Sequence, residues 1–185
     1  SLKWTPTSLS PEMLLYVSGG SGSGKSAWAE SRIVSSGLPE RIYIATMDPS
    51  GPEGQRRVER HRRLRAGKGF VTREQPVDLP SLQVPRGCAA LLEDLTNLFA
   101  NEWFTVSPEG AAERVLRGIQ ALKDTAALTV IVGNDLFSDG LDYEAETRRY
   151  LEALAALNRS AAALADGVYE VVCGIPICHR KEEGL

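Results

Sequence analysis

A glycine-rich run near the start of the chain combines the residue types that bind a phosphate chain. The run consists of Gly19, Gly20, Ser21, Gly22, Ser23, Gly24, Lys25 and Ser26. It fits the pattern G-x-x-x-x-G-K-[ST] at every fixed position. Glycines let a backbone wrap closely around a phosphate, because they accept positive φ and have no Cβ. We expect Lys25 to contact the β- and γ-phosphates and the Ser26 hydroxyl to bind Mg²⁺.

The residues on either side of this glycine loop favour phosphate binding over its alternative, a flexible glycine-serine linker. Residues 13–17 are apolar and strand-like, and residues 27–34 have the composition of a helix. A strand, a glycine loop and a helix in this order direct backbone N–H groups and the positive end of a helix at an anion.

A basic segment carries His61, one of two histidines in the chain, among several arginines. Residues 56–65 contain no proline or glycine and predict a helix with a narrow apolar stripe. Neighbouring cations favour a neutral, nucleophilic imidazole, and such an imidazole can attack an α-phosphorus to form a phosphoramidate. The alternatives are an exposed basic helix with an incidental histidine, and a nucleic-acid contact, for which no wider basic surface is evident. We expect no specific role for His179 in the polar tail.

Two adjacent carboxylates, Glu93 and Asp94, end the apolar segment that begins at Cys88. Nucleotide-binding proteins with a glycine loop use a strand-end carboxylate to hold Mg²⁺ directly or through water. The alternative is an acid that caps the next helix. If the strand continues through both residues, their side chains lie on opposite faces and only one faces the nucleotide.

Strands and helices alternate along the chain, which predicts a single-domain α/β fold of the P-loop NTPase type. The sheet is expected to be mostly parallel, with helices on both faces. Further strands are predicted at 41–46, 70–74, 88–94 and 128–132, with a last strand at 168–173. Further helices are predicted at 95–104, from a cap at Ser107 to about Lys123, and at 142–165. Residues 48–52 predict a turn and 75–87 a loop. Ligands of such sheets bind at the carboxyl ends of the strands, where the glycine loop, Thr46, Glu93–Asp94 and Asn134–Asp135 are expected to meet.

The composition is that of an ordinary globular protein. The 185 residues carry a formal net charge of −3, which gives no global attraction to nucleic acid, and no apolar run approaches the roughly 20 residues of a membrane span. Cys88, Cys173 and Cys178 are predicted to be reduced thiols of a cytoplasmic protein. Residues 1–12 are predicted to form a flexible arm, and 13–185 one nucleotide-binding domain.

Several linked motifs make the chain resemble the adenosylcobinamide kinase / adenosylcobinamide-phosphate guanylyltransferase family of cobalamin biosynthesis. The resemblance covers about Leu14 to Ile177. Besides the glycine loop, the matching segments are Tyr43–Thr46, Arg57-Val58-x-x-His61-Arg62, Leu91–Thr96 with Asn101, Asn134–Gly140, Asn158–Arg159 and Gly174–Pro176. The glycine loop is common to many NTPases, whereas the combination is specific to this family.

The resemblance implies two activities. The first is phosphorylation of the adenosylcobinamide aminopropanol hydroxyl by ATP or GTP. The second is transfer of GMP from GTP onto that phosphate through a guanylylated histidine, which by motif position is His61. A plain small-molecule kinase and a non-catalytic GTP-binding protein remain as alternatives. The resemblance also implies a homotrimer.

The resemblance further implies which residues contact the nucleotide. They are the glycine loop, Ala45, Thr46, Met47, Arg62, Arg63, Leu64, Arg65, Glu74 and Glu93. Lys25, His61 and Glu93 are the expected catalytic residues, and Ser26 and Glu93 the expected Mg²⁺ ligands. The sequence departs from the family at residues 133–135, where Gly-Asn-Asp replaces a common Thr-Asn-Glu, and at Asp94, where cysteine is common.

Overall fold

Seven strands form one sheet in a computed structural model of the chain, which describes residues 12–47, 51–134 and 145–182. The strands are β1 (Met13–Ser18), β2 (Arg41–Ala45), β3 (Phe70–Glu74), β4 (Ala89–Glu93), β5 (Leu128–Val132), β6 (Gly167–Val172) and β7 (Ile175–Arg180). Their order across the sheet is β3-β2-β4-β5-β1-β6-β7. All neighbours run parallel except β6 and β7, which are antiparallel. The predicted α/β architecture is therefore confirmed.

The described residues include five α-helices, four of which pack against the two faces of the sheet. They are α1 (Lys25–Ser35), α2 (Gly51–Arg65), α3 (Leu95–Asn101), α4 (Ala111–Thr125) and α5 (Ala145–Leu164). A single π-helical turn, Glu102–Val106, continues α3, and a short 3₁₀ helix, Leu79–Ser81, interrupts the loop after β3. None of the helices in the described part of the chain is both long and apolar enough to cross a bilayer.

The alternation of side chains along each strand separates two apolar cores. On one face, Leu15 and Val17 of β1 pack with Ala29 and Ile33 of α1. On the other face, the apolar stripes of α3, α4 and α5 pack against alternate residues of the same strands, such as Leu14 of β1. Because both faces are buried, the central strands are continuously apolar, as is typical of parallel sheets. The second core includes Leu98, Ile119 and Leu157.

Several predicted boundaries are wrong. Helix α2 begins at Gly51, within the predicted turn at 48–52. The α-helical part of α3 ends at Asn101, before the predicted end at residue 104. Strand β4, which precedes α3, stops at Glu93, one residue before its predicted end. Helix α4 begins at Ala111, after Gly110 in a left-handed conformation, and not after Ser107. Arg114 donates to the Ser107 and Glu109 carbonyls and thereby holds that segment outside the helix.

The prediction of a polar tail after a last strand at 168–173 is also wrong, because β7 pairs with β6 along an exposed edge of the sheet. Pro176 is compatible with such an edge, where a missing N–H is tolerated. All three cysteines are free thiols, in agreement with the sequence. Most of the predicted arm, residues 1–11, lies outside the described residues, as do Asp48–Ser50, Asp135 and residues 142–144.

Candidate active site

The glycine loop joins β1 to α1 and curls back on itself. The Ser23 N–H donates to the Gly20 carbonyl at 3.1 Å. Gly22 and Gly24 have φ of 71° and 93°, which side chains with a Cβ rarely adopt. The Lys25 ammonium donates to the Gly20 carbonyl at 3.0 Å, across the mouth of the loop. This backbone conformation presents a helix N-terminus and a lysine at one point, as phosphate binding requires.

The turn between β6 and β7 supports the glycine loop from behind. The Gly174 N–H donates to the Ser23 carbonyl at 2.7 Å. At Gly19, a Cβ would lie 2.5 Å from the Ser23 hydroxyl oxygen and 2.7 Å from the Val171 carbonyl oxygen. Glycine is therefore required at position 19 for a packing reason, because a Cβ would clash with the Val171 carbonyl.

Glu93 lies at the carboxyl end of β4 and contacts the helix that follows the glycine loop. Its Oε1 accepts a short hydrogen bond from the Ser26 hydroxyl, and its Oε2 accepts one from the Tyr43 hydroxyl at 2.9 Å. Burial, followed by the Glu93 charge, raises the pKa of Tyr43 far above its ordinary value, so the phenol stays protonated and donates.

The oxygen atoms of Ser26 and Glu93 fit a bound Mg²⁺. This ion prefers oxygen ligands and in nucleotide sites takes only one or two from the protein, with phosphates and water completing its coordination. No group of three or more His, Cys, Asp and Glu side chains forms a metal site within residues 12–47, 51–134 and 145–182. The arrangement therefore suits a metal that arrives with a nucleotide better than one held by the protein alone.

Asp94 has a different role from its neighbour. Its side chain accepts the Asn97 N–H at 2.6 Å and caps the N-terminus of α3. The capping alternative is thus confirmed for Asp94, whereas Glu93 contacts Ser26. Burial raises the pKa of the Asp94 carboxyl despite this hydrogen bond. The strand ends before Asp94, so the alternation expected across the two carboxylates does not apply, and both residues line one pocket.

Thr46 joins the ends of β2 and β4. Its hydroxyl donates to the Asp94 carbonyl and accepts the Asp94 N–H, each at 2.9 Å, and its own N–H donates to the Glu93 carbonyl. Thr46 is completely buried. Both hydrogen bonds of its hydroxyl hold the backbone of Asp94, the residue after Glu93.

His61 lies in the second half of α2 and lines a pocket beside the carboxyl ends of β2 and β4. The lining residues are Tyr43, Ala45, Met47, Val58, His61, Arg65, Thr72, Glu93, Asp94 and Asn97. His61 and Glu93, which are 32 residues apart in the sequence, therefore share one cavity. The sequence motifs predicted no catalytic or binding role for Tyr43, Thr72 or Asn97.

Arg65 is the buried arginine of α2, with 6% of its surface exposed. Its guanidinium lies 3.4 Å from the centroid of the Tyr43 ring, and its Nη2 donates to the Thr72 hydroxyl at 3.2 Å. Its Nη1 is buried and has no hydrogen-bond partner. A donor in this state favours an added acceptor, because an unsatisfied buried polar group is costly.

The other α2 residues that were expected to contact the nucleotide lie outside the pocket of His61, as does Glu74. Arg62 pairs with Glu74 at 3.0 Å, Arg63 pairs with Glu59, and Leu64 is exposed. None of these residues lines the pocket of His61. His179 lies on the exposed strand β7, 3.7 Å from Glu170, and not in an unstructured tail. The structure thus brings together His61, Arg65, Ala45, Met47 and Glu93, but not Arg62, Arg63, Leu64 and Glu74.

A mostly parallel sheet, a glycine loop between β1 and α1, and a carboxylate at the end of β4 define a nucleotide-binding protein of the P-loop NTPase class. Solved structures with related folds include the flagellar accessory protein FlaH from Methanocaldococcus jannaschii (TM-score 0.50, 11% identity, 92% of this chain and 79% of that chain). Another is Project ID PH0250 from Pyrococcus horikoshii (TM-score 0.52, 9% identity, 92% and 87%). At these identities the likeness concerns the fold alone.

Sequence comparison identifies the family within this class. The family model described as cobinamide kinase / cobinamide phosphate guanyltransferase matches residues 15–178, so the chain belongs to this family of enzymes. The bifunctional adenosylcobalamin biosynthesis protein CobU is 30% identical in Escherichia coli and 29% in Salmonella typhimurium, each over 89% of this chain and 98% of the relative. Pseudomonas aeruginosa CobP is 28% identical, over 89% of this chain and 95% of that relative.

Proposed function

We propose that this chain carries out two steps of cobalamin nucleotide-loop assembly: phosphorylation of adenosylcobinamide by ATP or GTP, and transfer of GMP from GTP to the product. The observation that carries the proposal is the shared pocket of His61 and Glu93, next to a glycine loop. Family membership supports the same pair of reactions.

In the kinase step, the aminopropanol hydroxyl attacks the γ-phosphorus of the nucleoside triphosphate. An oxygen–phosphorus bond forms, the bond to the β-phosphate oxygen breaks, the hydroxyl loses its proton, and a nucleoside diphosphate leaves. The glycine-loop N–H groups and Lys25 orient the phosphates and stabilise negative charge. Ser26 and Glu93 would hold Mg²⁺, which neutralises charge on the phosphates when it is bound.

In the transfer step, an imidazole nitrogen of His61 attacks the α-phosphorus of GTP. A nitrogen–phosphorus bond forms, the bond to the β-phosphate breaks, and pyrophosphate leaves. A phosphate oxygen of adenosylcobinamide phosphate then attacks the same phosphorus, which releases His61 and yields adenosylcobinamide-GDP. Histidine serves as such a nucleophile when its ring nitrogen is neutral and accessible, and His61 is only half-buried. Arg65, whose buried Nη1 lacks a hydrogen-bond partner, lines the same pocket.

The proposal extends to the remaining nucleotide contacts and to assembly. Ala45 and Met47 line the pocket at the end of β2, and Thr46 between them holds the backbone. We assign Arg62, Arg63, Leu64 and Glu74 to the outer edge of the nucleotide site. A cytoplasmic homotrimer belongs to the same proposal, by resemblance to the family, and sedimentation equilibrium would measure its stoichiometry.

Labelling with α-³²P-GTP tests the covalent step. The wild-type chain should acquire a label that is labile in acid and stable in alkali, and should transfer it to adenosylcobinamide phosphate. His61→Asn should lose the label and the transfer while keeping phosphorylation of adenosylcobinamide, because asparagine cannot form the phosphoramidate. His179→Asn is the matched control, since it makes the same substitution at the other histidine, and it should keep both activities.

The possible results separate the candidate functions. Retained label in His61→Asn would disprove the assignment of the nucleophile. A wild-type chain that phosphorylates but never acquires a label would be a plain kinase. GTP binding without pyrophosphate release in the presence of corrinoid would indicate a non-catalytic nucleotide-binding protein.

Lys25→Ala should abolish both activities, because both need the phosphates to be held.

A further inference from the structure

We propose that Tyr43 is a positioning residue that orients the Glu93 carboxylate for Mg²⁺ and connects that carboxylate to the helix that carries His61. The inference rests on the proposed function, since it presumes that Glu93 binds the metal. It assigns to Tyr43, which lines the pocket of His61, a role that acts through Glu93. Three observations support it: the position of the Tyr43 ring, the set of donors to Glu93, and the contact with Arg65.

The position of Tyr43 is set by the sheet. Tyr43 lies opposite Leu91 of β4, and Glu93 lies opposite Ala45. Tyr43 and Glu93 are therefore diagonal neighbours on one face, a spacing that a long aromatic side chain can bridge. The ring is buried and packs edge-on against Phe70, with centroids 6.2 Å apart. The direction of its hydroxyl is thus fixed by strand register and packing.

Glu93 is held by neutral donors on both of its oxygen atoms. One oxygen accepts from the Ser26 hydroxyl and the other accepts from the Tyr43 hydroxyl. Each ion pair among the described residues uses a carboxylate other than Glu93. A carboxylate with two hydroxyl donors keeps its full charge for an incoming cation, since neither donor neutralises it.

The two donors differ in what they can do once the metal is bound. Ser26 is itself an expected metal ligand, so its hydroxyl would hold the ion together with Glu93. Tyr43 approaches from the strand side and is not an expected ligand. The Tyr43 hydroxyl is then the contact that restrains the carboxylate from behind, which is the usual function of groups that hydrogen-bond a metal ligand.

Tyr43 contacts Glu93 through its hydroxyl and α2 through the face of its ring. The Arg65 guanidinium lies over this face, and Arg65 follows His61 by four residues, about one turn of α2. A displacement of α2 would therefore act on the same ring that orients Glu93. The contact gives the helix that carries the nucleophile a fixed position relative to the metal carboxylate.

The test replaces only the hydroxyl. Tyr43→Phe retains the ring, the contact with Arg65 and the packing against Phe70. Mn²⁺, titrated in the presence of a non-hydrolysable GTP analogue and followed by electron paramagnetic resonance, measures metal binding without turnover. We expect Mn²⁺ to bind about 10-fold more weakly, as is typical when a partner of a metal ligand is lost. Binding of the same analogue in EDTA should be unchanged.

The kinetic counterpart is a shift in the Mg²⁺ requirement of both half-reactions. Tyr43→Phe should need more Mg²⁺ for half-maximal rate and should recover most of the wild-type rate at saturating Mg²⁺. A general structural defect would instead lower the rate at every Mg²⁺ concentration. Denaturation curves of both proteins show that the comparison concerns folded enzyme.

Two further variants make the outcome decisive. Tyr169→Phe removes another hydroxyl that donates to a carboxylate, that of Glu182, and should leave Mn²⁺ binding unchanged. In a Glu93→Gln background, Tyr43→Phe should have no additional effect, because its effect acts through Glu93.

Equal Mn²⁺ affinity in wild type and Tyr43→Phe, with a clear loss in Glu93→Gln, would overturn the role of Tyr43 alone. An additive loss in the double variant would also overturn it. An unchanged Mn²⁺ affinity in Glu93→Gln would instead contradict the metal site of the proposed function. These outcomes therefore distinguish the failure of the inference from the failure of its premise.

Discussion

Two carboxylate–tyrosine pairs lie in different parts of the molecule and use the same donor chemistry. At the carboxyl end of β4, Glu93 accepts from Tyr43 and from Ser26. After β7, Glu182 accepts from Tyr169 and from Arg32 of α1. In each pair a tyrosine hydroxyl holds one carboxylate oxygen. The second donor is neutral in the first case and cationic in the second.

This difference separates a site available to a ligand from a contact that joins two elements. The charge of Glu182 is compensated by Arg32, and its side chain is 4% exposed, so it connects α1 to the segment that follows β7. The two donors to Glu93 are uncharged hydroxyls, and its side chain lines the pocket of His61. An equal number of hydrogen bonds can therefore serve binding at one position and stability at the other.

The largest expected effect is on the Glu93 pair. Glu93→Gln preserves the shape of the side chain and removes its charge, so the Mg²⁺ requirement of both half-reactions should rise, with about 100-fold loss of rate at limiting Mg²⁺. Rates measured across a Mg²⁺ titration check this. Glu182→Gln is the matched variant and should leave the titration curve unchanged. Identical curves for wild type and Glu93→Gln would show that Glu93, like Glu182, does not bind the metal.

A second prediction removes the cation from the Glu182 pair. Arg32→Met keeps most of the apolar stem of the side chain but leaves Glu182 buried beside Tyr169 alone. The free energy of unfolding should fall by about 2 kcal/mol, the usual contribution of a hydrogen bond to a charged group. Urea denaturation measures the change, and the Mg²⁺ dependence of the remaining activity should match wild type. An unchanged unfolding midpoint would show that the ion pair adds nothing.

A third prediction concerns pH. Burial raises the pKa of Glu182, but the hydrogen bonds from Tyr169 and Arg32, with the charge of Arg32, lower it by more, so the net pKa lies below its ordinary value of 4.5. The stabilisation by the carboxylate is therefore present above about pH 4.5 and is lost as pH falls through the lower, folded-state pKa. The difference in unfolding free energy between wild type and Glu182→Gln should shrink on acidification; a constant difference would contradict the depressed pKa.

The smallest expected effect is that of Tyr169→Phe, which leaves the Arg32 pair intact. The loss of one hydroxyl should lower the free energy of unfolding by about 1 kcal/mol, as for a typical hydrogen bond. Urea denaturation of Tyr169→Phe and of Tyr43→Phe measures the loss of unfolding free energy for each of the two pairs. A metal-binding defect in Tyr169→Phe would show that the two pairs are not functionally distinct.

Much of the fold could be predicted from local patterns. The glycine loop between an apolar strand and a helix, and the strands that end at Glu93 and Val132, all have strong sequence signals. Because parallel strands end at one edge, the meeting of the glycine loop with Glu93 also followed. The exposed strand β7 was missed, because its alternation is weak and it contains Pro176.

The sequence by itself determined the class of chemistry: a phosphate-binding loop, a strand-end carboxylate and a histidine among arginines are local patterns of residue type and spacing. Only the tertiary structure decided which partners those groups have. Arg32 and Glu182 are 150 residues apart, and Tyr43 and Glu93 are 50 apart. Such pairings depend on strand order and register, which set distances between residues remote in the chain. For that reason, no local pattern could show that the charge of Glu182 is paired with Arg32 while Glu93 accepts from two uncharged hydroxyls.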